Sequence, residues 1–286
     1  MKNRWLIGVV LLACSCSSWA IYGPSLTRAD TSVGVRACQE AKFAQSQKIA
    51  RAIQGTNPAD VLLILGDALT QWHATPPTSA LYAARAFCIH EIVPSQLPPK
   101  DSEAQVSSRE PTEMVRRFEN LGIEYFYYSP DDAWTLSNNP VDLNHLATQH
   151  LDSQWGRQAF LMMTQLGWSQ GGCQEGPDQF REVIKHSRHF LAVYPKSEVS
   201  GAIRLELAKS YATWWNVSRL KPDEYANPEN YKAGAPQAKR RAIELYREYL
   251  GAQKAPIQEI HRRLKALLEN PNGSDDYDYF CADYAD

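Results

Sequence analysis

The stretch from His189 to Ser218, HFLAVYPKSEVSGAIRLELAKSYATWWNVS, decides the fold of this chain. Proline lacks the amide a helix interior needs, and a serine hydroxyl accepts from free first-turn amides. Pro195 therefore ends one helix and Ser197 is expected to cap the next. In that second helix Val199, Ile203, Leu207, Tyr211 and Trp214 follow steps of four and three, making one apolar face. Leu205, Ala208, Ala212 and Trp215 make another. A helix at the edge of a bundle needs one stripe. Two stripes predict a helix sandwiched between neighbours, with small residues where backbones come close.

The pattern extends in both directions. The preceding helix, Asp178 to Tyr194, places Phe180, Val183, Ile184, Ser187, Leu191 and Tyr194 on one face. Downstream, Ala242 to Leu268 has the same layout, two helices broken at Pro256, and Ile243, Tyr249 and Leu250 align with Ile184, Phe190 and Leu191 at one offset. Upstream, Asp152 to Trp168 aligns with the segment from Lys196, Ser153 opposite Ser197 and Leu161 opposite Leu205. Such internal similarity between helical units predicts a solenoid.

Phe190 to Trp215 resembles the FL..YP.S....A...L..AY units of tetratricopeptide-like repeats in bacterial envelope lipoproteins of outer-membrane assembly. The run AIELYREYL, starting at Ala242, resembles the second helix of such a repeat, with Ala242 and Tyr246 at its small and aromatic positions. Tyr249 departs from the pattern, standing where another small residue is expected, and Leu65-Gly66 matches the Leu-Gly pair of the first helix without its surround. The resemblance implies a protein-binding scaffold. The expected fold is mainly α, a tetratricopeptide-like αα-hairpin solenoid with a small β-hairpin insertion.

Residues 1–20 read as a secretory signal: Lys2 and Arg4 precede an apolar run from Trp5 to Ala13, followed by small residues up to Ala20. The run is too short to span a bilayer, and no later stretch reaches the roughly eighteen apolar residues that spanning requires. Two processing routes compete. Leu11-Leu12-Ala13-Cys14 resembles a lipobox that would lipidate Cys14, whereas Ser18-Trp19-Ala20 fits simple cleavage. Either route places the chain in the periplasm or at the outer membrane, with no transmembrane span in the mature chain.

A lead-in over 21–32 precedes an N-terminal helical region, 33–93. Its expected helices run from Val35 to Ile53, from Asn57-Pro58-Ala59-Asp60 onward, and from Ser79 to Ile92. Residues 94–113, rich in proline, serine and charge, read as a mobile linker. Residues 114–138 are expected to hold the end of a short helix that begins at Thr112, then a hairpin around Pro130-Asp131-Asp132. Asn139-Pro140-Val141-Asp142 starts helix again, the repeats occupy 139–270, and 271–286 form an acidic tail.

The 30 Lys and Arg residues balance 32 Asp and Glu, so nothing electrostatic points to nucleic acid. Simple cleavage leaves four cysteines, which allow three connectivities. Cys38 with Cys88 and Cys173 with Cys281 are the favoured pairs. No C-x-x-C occurs, His186 and His189 lack a partner acid at diagnostic spacing, and the hydrolase, nucleotide and metalloprotease signatures are absent, so no cofactor or metal is expected. The tail acids Asp275, Asp276, Asp278, Asp283 and Asp286 miss the calcium-loop spacing. Trp168, Tyr211 and Trp215 are the candidate partner-binding rings.

The leading function is thus an exported, non-catalytic scaffold that binds another envelope protein or a peptide. Two alternatives stand beside it. One is a cell-envelope enzyme acting on cell-wall glycan through acids such as Glu175 and Asp178. The other is a secreted structural domain that binds calcium.

Overall fold

A computed structural model describes residues 28–53, 58–95, 126–128, 133–135, 140–168, 179–219, 228–252 and 257–273. These residues are mainly helical. No helix among them is long and apolar enough to cross a membrane. The signal, Cys14, most of the linker, the short helix from Thr112 and the Pro130-Asp131-Asp132 turn lie outside the described residues. Strand β1 (Phe126–Tyr128) pairs antiparallel with β2 (Ala133–Thr135), Tyr127 opposite Trp134.

The first helices gather around one core. They are α1 (Arg28–Glu40), α2 (Ser46–Ile53), α3 (Pro58–His73) and α4 (Ala80–Ser95). Helix starts five residues before the 33 boundary read from sequence, and the expected helix from Val35 to Ile53 is two. Arg85 explains the break. Its Nε donates to the Ala41 carbonyl at 2.9 Å, its Nη1 to the Gln71 carbonyl at 2.9 Å and to the Thr75 hydroxyl. Its guanidinium lies 5.2 Å from the centre of the buried Phe43 ring. Lys42, between Ala41 and Phe43, takes a left-handed φ of 51° that no continuous helix permits. A tertiary contact thus outcompetes the local periodicity.

Helix α4 is the hub of this core. Ala83, Ala84, Ala86, Phe87, Cys88, Ile89 and Ile92 are buried, because α1, α2, α3 and two later helices all pack against it. Cys88 is bridged to Cys38 of α1, with Cα atoms 4.8 Å apart. Glu40 at the end of α1 accepts from Gln154 Nε2 at 2.5 Å and from the Trp155 indole at 3.1 Å, tying in the next helical pair.

That pair is α5 (Pro140–Gln149) and α6 (Gln154–Gln165), followed by α7 (Gln179–Val193) and α8 (Ser200–Val217). The short α9 (Glu229–Lys232), α10 (Ala235–Ala252) and α11 (Gln258–Glu269) complete the order. Both stripes of α8 are used. Val199 and Ile203 join Phe160 and Phe190, and Leu207 meets Phe180, Ile184 and Tyr231. Ala208, Ala212 and Trp215 pack with Ala235, Ala242 and Tyr246 of α10. A helix covered on two sides needs two apolar faces, and α8 has them.

One turn recurs three times. Ser79, Ser153 and Ser197 each donate their amide to the carbonyl three residues back, of Pro76, His150 and Tyr194, at 3.2, 2.9 and 3.3 Å. Ser79 and Ser153 then accept from the amides of Tyr82 and Gly156, both at 3.0 Å. The third turn differs from the sequence expectation. Helix α8 starts at Ser200, and Ser197 accepts from the Val199 amide at 3.3 Å, inside the turn rather than as a helix cap. Ser200 instead donates its hydroxyl to Tyr194 O at 2.6 Å, which draws the chain past Ser197 before helix begins.

Candidate functional site

The three expected partner-binding rings do not share one open surface. Trp168 lies three residues past the end of α6, where the chain reverses through Gly167 at φ 72°. The Gly167 and Trp168 amides donate to Thr164 O at 3.2 Å and Met163 O at 2.8 Å, closing the helix in a Schellman arrangement. Its ring stacks on His186 at 3.9 Å and meets Phe160 edge-on at 4.8 Å. Tyr211 is half-buried at the margin of the α8 packing. Trp215 is 5% exposed, with the Arg219 guanidinium 4.2 Å and the Lys239 ammonium 4.6 Å from its ring centre. Cation–π attraction of this kind covers an indole without hydrogen-bonding its N–H.

Trp214 is the more accessible of the two adjacent tryptophans. Its indole N–H donates to Tyr231 O at 2.9 Å, which fixes the ring. Gly234, at φ 80°, comes so close that a Cβ there would sit 3.0 Å from Trp214 Cζ2. One face of the ring remains on a concavity of about 580 Å³, whose other walls are Arg181, Ile184, Lys185, Arg188 and His189. All five come from α7, at spacings that place them on one helical face.

Charge distinguishes this concavity. Arg181 donates to Asn230 O at 3.1 Å and lies over the Tyr231 ring at 5.0 Å. Lys185 pairs with Glu182 at 2.9 Å. Glu182 is held below the usual carboxylate range by hydrogen bonding to Lys185. None of the lining residues is a carboxylate, thiol or hydroxyl, the groups that nucleophilic or paired-acid chemistry employs. What the lining offers is three cations along one face of α7, together with an indole and an isoleucine. That combination attracts carboxylates and gives a flat apolar floor to side chains beside them. The signal was present in the sequence, since Arg181, Lys185 and Arg188 follow steps of four and three, but only the apolar face of this helix was read.

His186 and His189 diverge. His186 turns to Trp168 and to Glu182 at 3.4 Å, and burial lowers its pKa, while His189 stays on the concavity. His145 and His150 join Tyr82 in a ring cluster, His145 to His150 at 5.4 Å and Tyr82 to His150 at 5.6 Å. Among the described residues no group of three or more His, Cys, Asp or Glu is placed to hold a metal. Cys173, Glu175, Asp178 and Cys281 lie outside the described residues. No known protein family, curated protein or solved structure matches the chain.

Proposed function

We propose that this chain is an exported, non-catalytic scaffold that holds an acidic segment of another envelope protein or peptide in the α7–α8 concavity. The observation that carries the reading is the lining itself, where Arg181, Lys185 and Arg188 of one α7 face line the same concavity as the fixed ring of Trp214. A segment bearing carboxylates and a ring or aliphatic side chain matches it in charge and in shape.

The same reading makes the helices a tetratricopeptide-like solenoid with the strand pair as an insertion. Two features support it. Turns at Ser79, Ser153 and Ser197 share the bond from the serine amide to the carbonyl three residues back, and the two later ones stand 44 residues apart in sequence. At that same offset Gly156 and Ser200 both approach the carbonyl three residues before the turn serine, of His150 and Tyr194. The export signal, ending either in simple cleavage after Ala20 or in lipidation at Cys14, remains part of this proposal. So does Cys173 with Cys281, because the start of α7 (Phe180 against Trp214) and Gly273 (against Asn216) lie at the same end of α8.

The test is affinity capture with crosslinking from envelope extracts, comparing the natural chain with the doubly substituted Lys185→Glu, Arg188→Glu. Both side chains are exposed, so the substitutions should change stability by less than about 0.5 kcal/mol. A specific partner should be captured by the natural chain, weaken with salt, and fall at least tenfold with the double variant. Repeated failure to enrich any protein, or equal capture by both chains, would remove the proposal.

A further inference from the structure

We propose that the acidic segment after Gly273 docks on the chain's own Arg219–Trp215–Lys239 cluster, with Asp275 and Asp276 as its counter-charges. Arg219 follows the end of α8 and Lys239 sits early in α10, yet both cations rest on one indole, at 4.2 and 4.6 Å from its centre. Among the described residues neither meets a carboxylate. Two like charges brought together repel, and since Arg219 is exposed and Lys239 half-buried, solvent screens that repulsion only in part. Lys239 registers this: burial and then Arg219 lower its pKa. A carboxylate at this place would relieve both effects.

The described chain ends beside the cluster. Gly273, at φ 81°, packs so closely that a Cβ there would lie 3.0 Å from Arg219 Cβ and 3.5 Å from Asn216 Cα. Ser274, Asp275 and Asp276 follow directly, so two or three residues, about 7–10 Å of extended chain, bring the first acids to the cations. So short a connection keeps the effective concentration of the carboxylates high. From Ser274 on the chain has five aspartates, no lysine or arginine, and the rings Tyr277, Tyr279, Phe280 and Tyr284. The segment is complementary in sign to the cluster, and Trp215, Arg219 and Lys239 are its first landing place. This inference does not depend on what occupies the α7–α8 concavity.

The experiment is zero-length carbodiimide crosslinking of the intact chain at low salt, followed by peptide mass spectrometry. The Lys185–Glu182 pair, 2.9 Å apart, reports that the reagent acted. A Lys239 crosslink to Asp275 or Asp276 in the monomer is expected. In parallel, the Lys239 titration is followed by NMR, and Asp275→Asn with Asp276→Asn should move its midpoint further down. The Lys185–Glu182 product without any Lys239–tail product would overturn the proposal, as would an unchanged Lys239 midpoint. A Lys239–tail product found only in dimers would assign the segment to a second copy and overturn the intramolecular docking.

Discussion

The first core and the later helices are stabilised in different ways. Around α4, helices α1 to α3, α5 and α6 share one large cluster that also takes in Phe190 of α7 and Val199 and Ile203 at the start of α8, tied by the Cys38–Cys88 bridge and by Arg85 reaching the Ala41 turn and the end of α3. Beyond those residues the apolar contacts from α7 to α11 divide into smaller clusters between neighbouring helices, α7 on α8, α8 on α10 and α10 on α11. The outermost, α11, buries only Ile260 and Leu267, while Glu259 pairs with the exposed Arg262 and the half-buried Arg263. In the first arrangement a single lesion reaches many partners. In the second it reaches one interface, and a surface such as the α7–α8 concavity stays open along the row.

Gly156→Ala should break the larger core most severely. A Cβ at Gly156 would lie 1.9 Å from the His150 carbonyl oxygen, and backbone cannot swing aside as a side chain does. We expect a loss of about 3 kcal/mol or more, or failure to fold, read by chemical denaturation. Near-normal stability would show that α5 and α6 are not so closely packed.

Replacing Cys38 and Cys88 by serine comes next. The bridge closes a sequence separation of 50 residues, and removing it should cost about 2–4 kcal/mol. If the two regions are held differently, hydrogen exchange should accelerate in α1 to α4 well before α10 and α11.

Acid should act on both regions, since burial also lowers His186 of α7, but on more buried histidines in the first. Burial holds His90, next to Phe87, down to about 4 and also lowers His150. As pH falls below about 6.5 the unfolded chain takes up these protons first, so stability declines toward pH 4 and is level above neutrality. Hydrogen bonds from Arg262 and Arg263 hold Glu259 down to about 2, so its contribution in α11 is present above pH 4.5 and lost below it. Melting temperatures measured from pH 8 to 3 should fall in these two stages. A flat profile between pH 7 and 4.5 would contradict the first.

The smallest effect is a gain. Gly201, near the start of α8, would have nothing within 4 Å of an added Cβ, so Gly201→Ala should stabilise by about 0.5 kcal/mol. The same substitution that wrecks α6 at Gly156 should help α8, and equal melting points for both variants would refute the contrast.

Much of the helical layout could be read in advance because its signals are local. Pro58 and Pro140 open α3 and α5, Ser153 caps α6, and the double stripe of α8 anticipated neighbours on two sides. The misreadings occurred where distant residues intervene. Nothing near Lys42 announces that Arg85, over forty residues away, will claim the Ala41 carbonyl. Ser197 matches Ser153 in sequence, yet Ser200 and Tyr194 delay the helix. The candidate site was missed because an exposed cationic stripe on α7 has no meaning until a ring from another helix faces it.

The residues opened by Trp214-Trp215 show where the division falls. Sequence by itself determined that this region is helix and that the tandem rings continue two apolar stripes, since both follow from helical periodicity. Which ring is covered was a tertiary decision. The Tyr231 carbonyl and Gly234 hold Trp214 at the rim of a concavity, while Arg219 and Lys239 close over Trp215. Periodicity assigns a face to each ring, but only the elements packed at that end decide which face meets water.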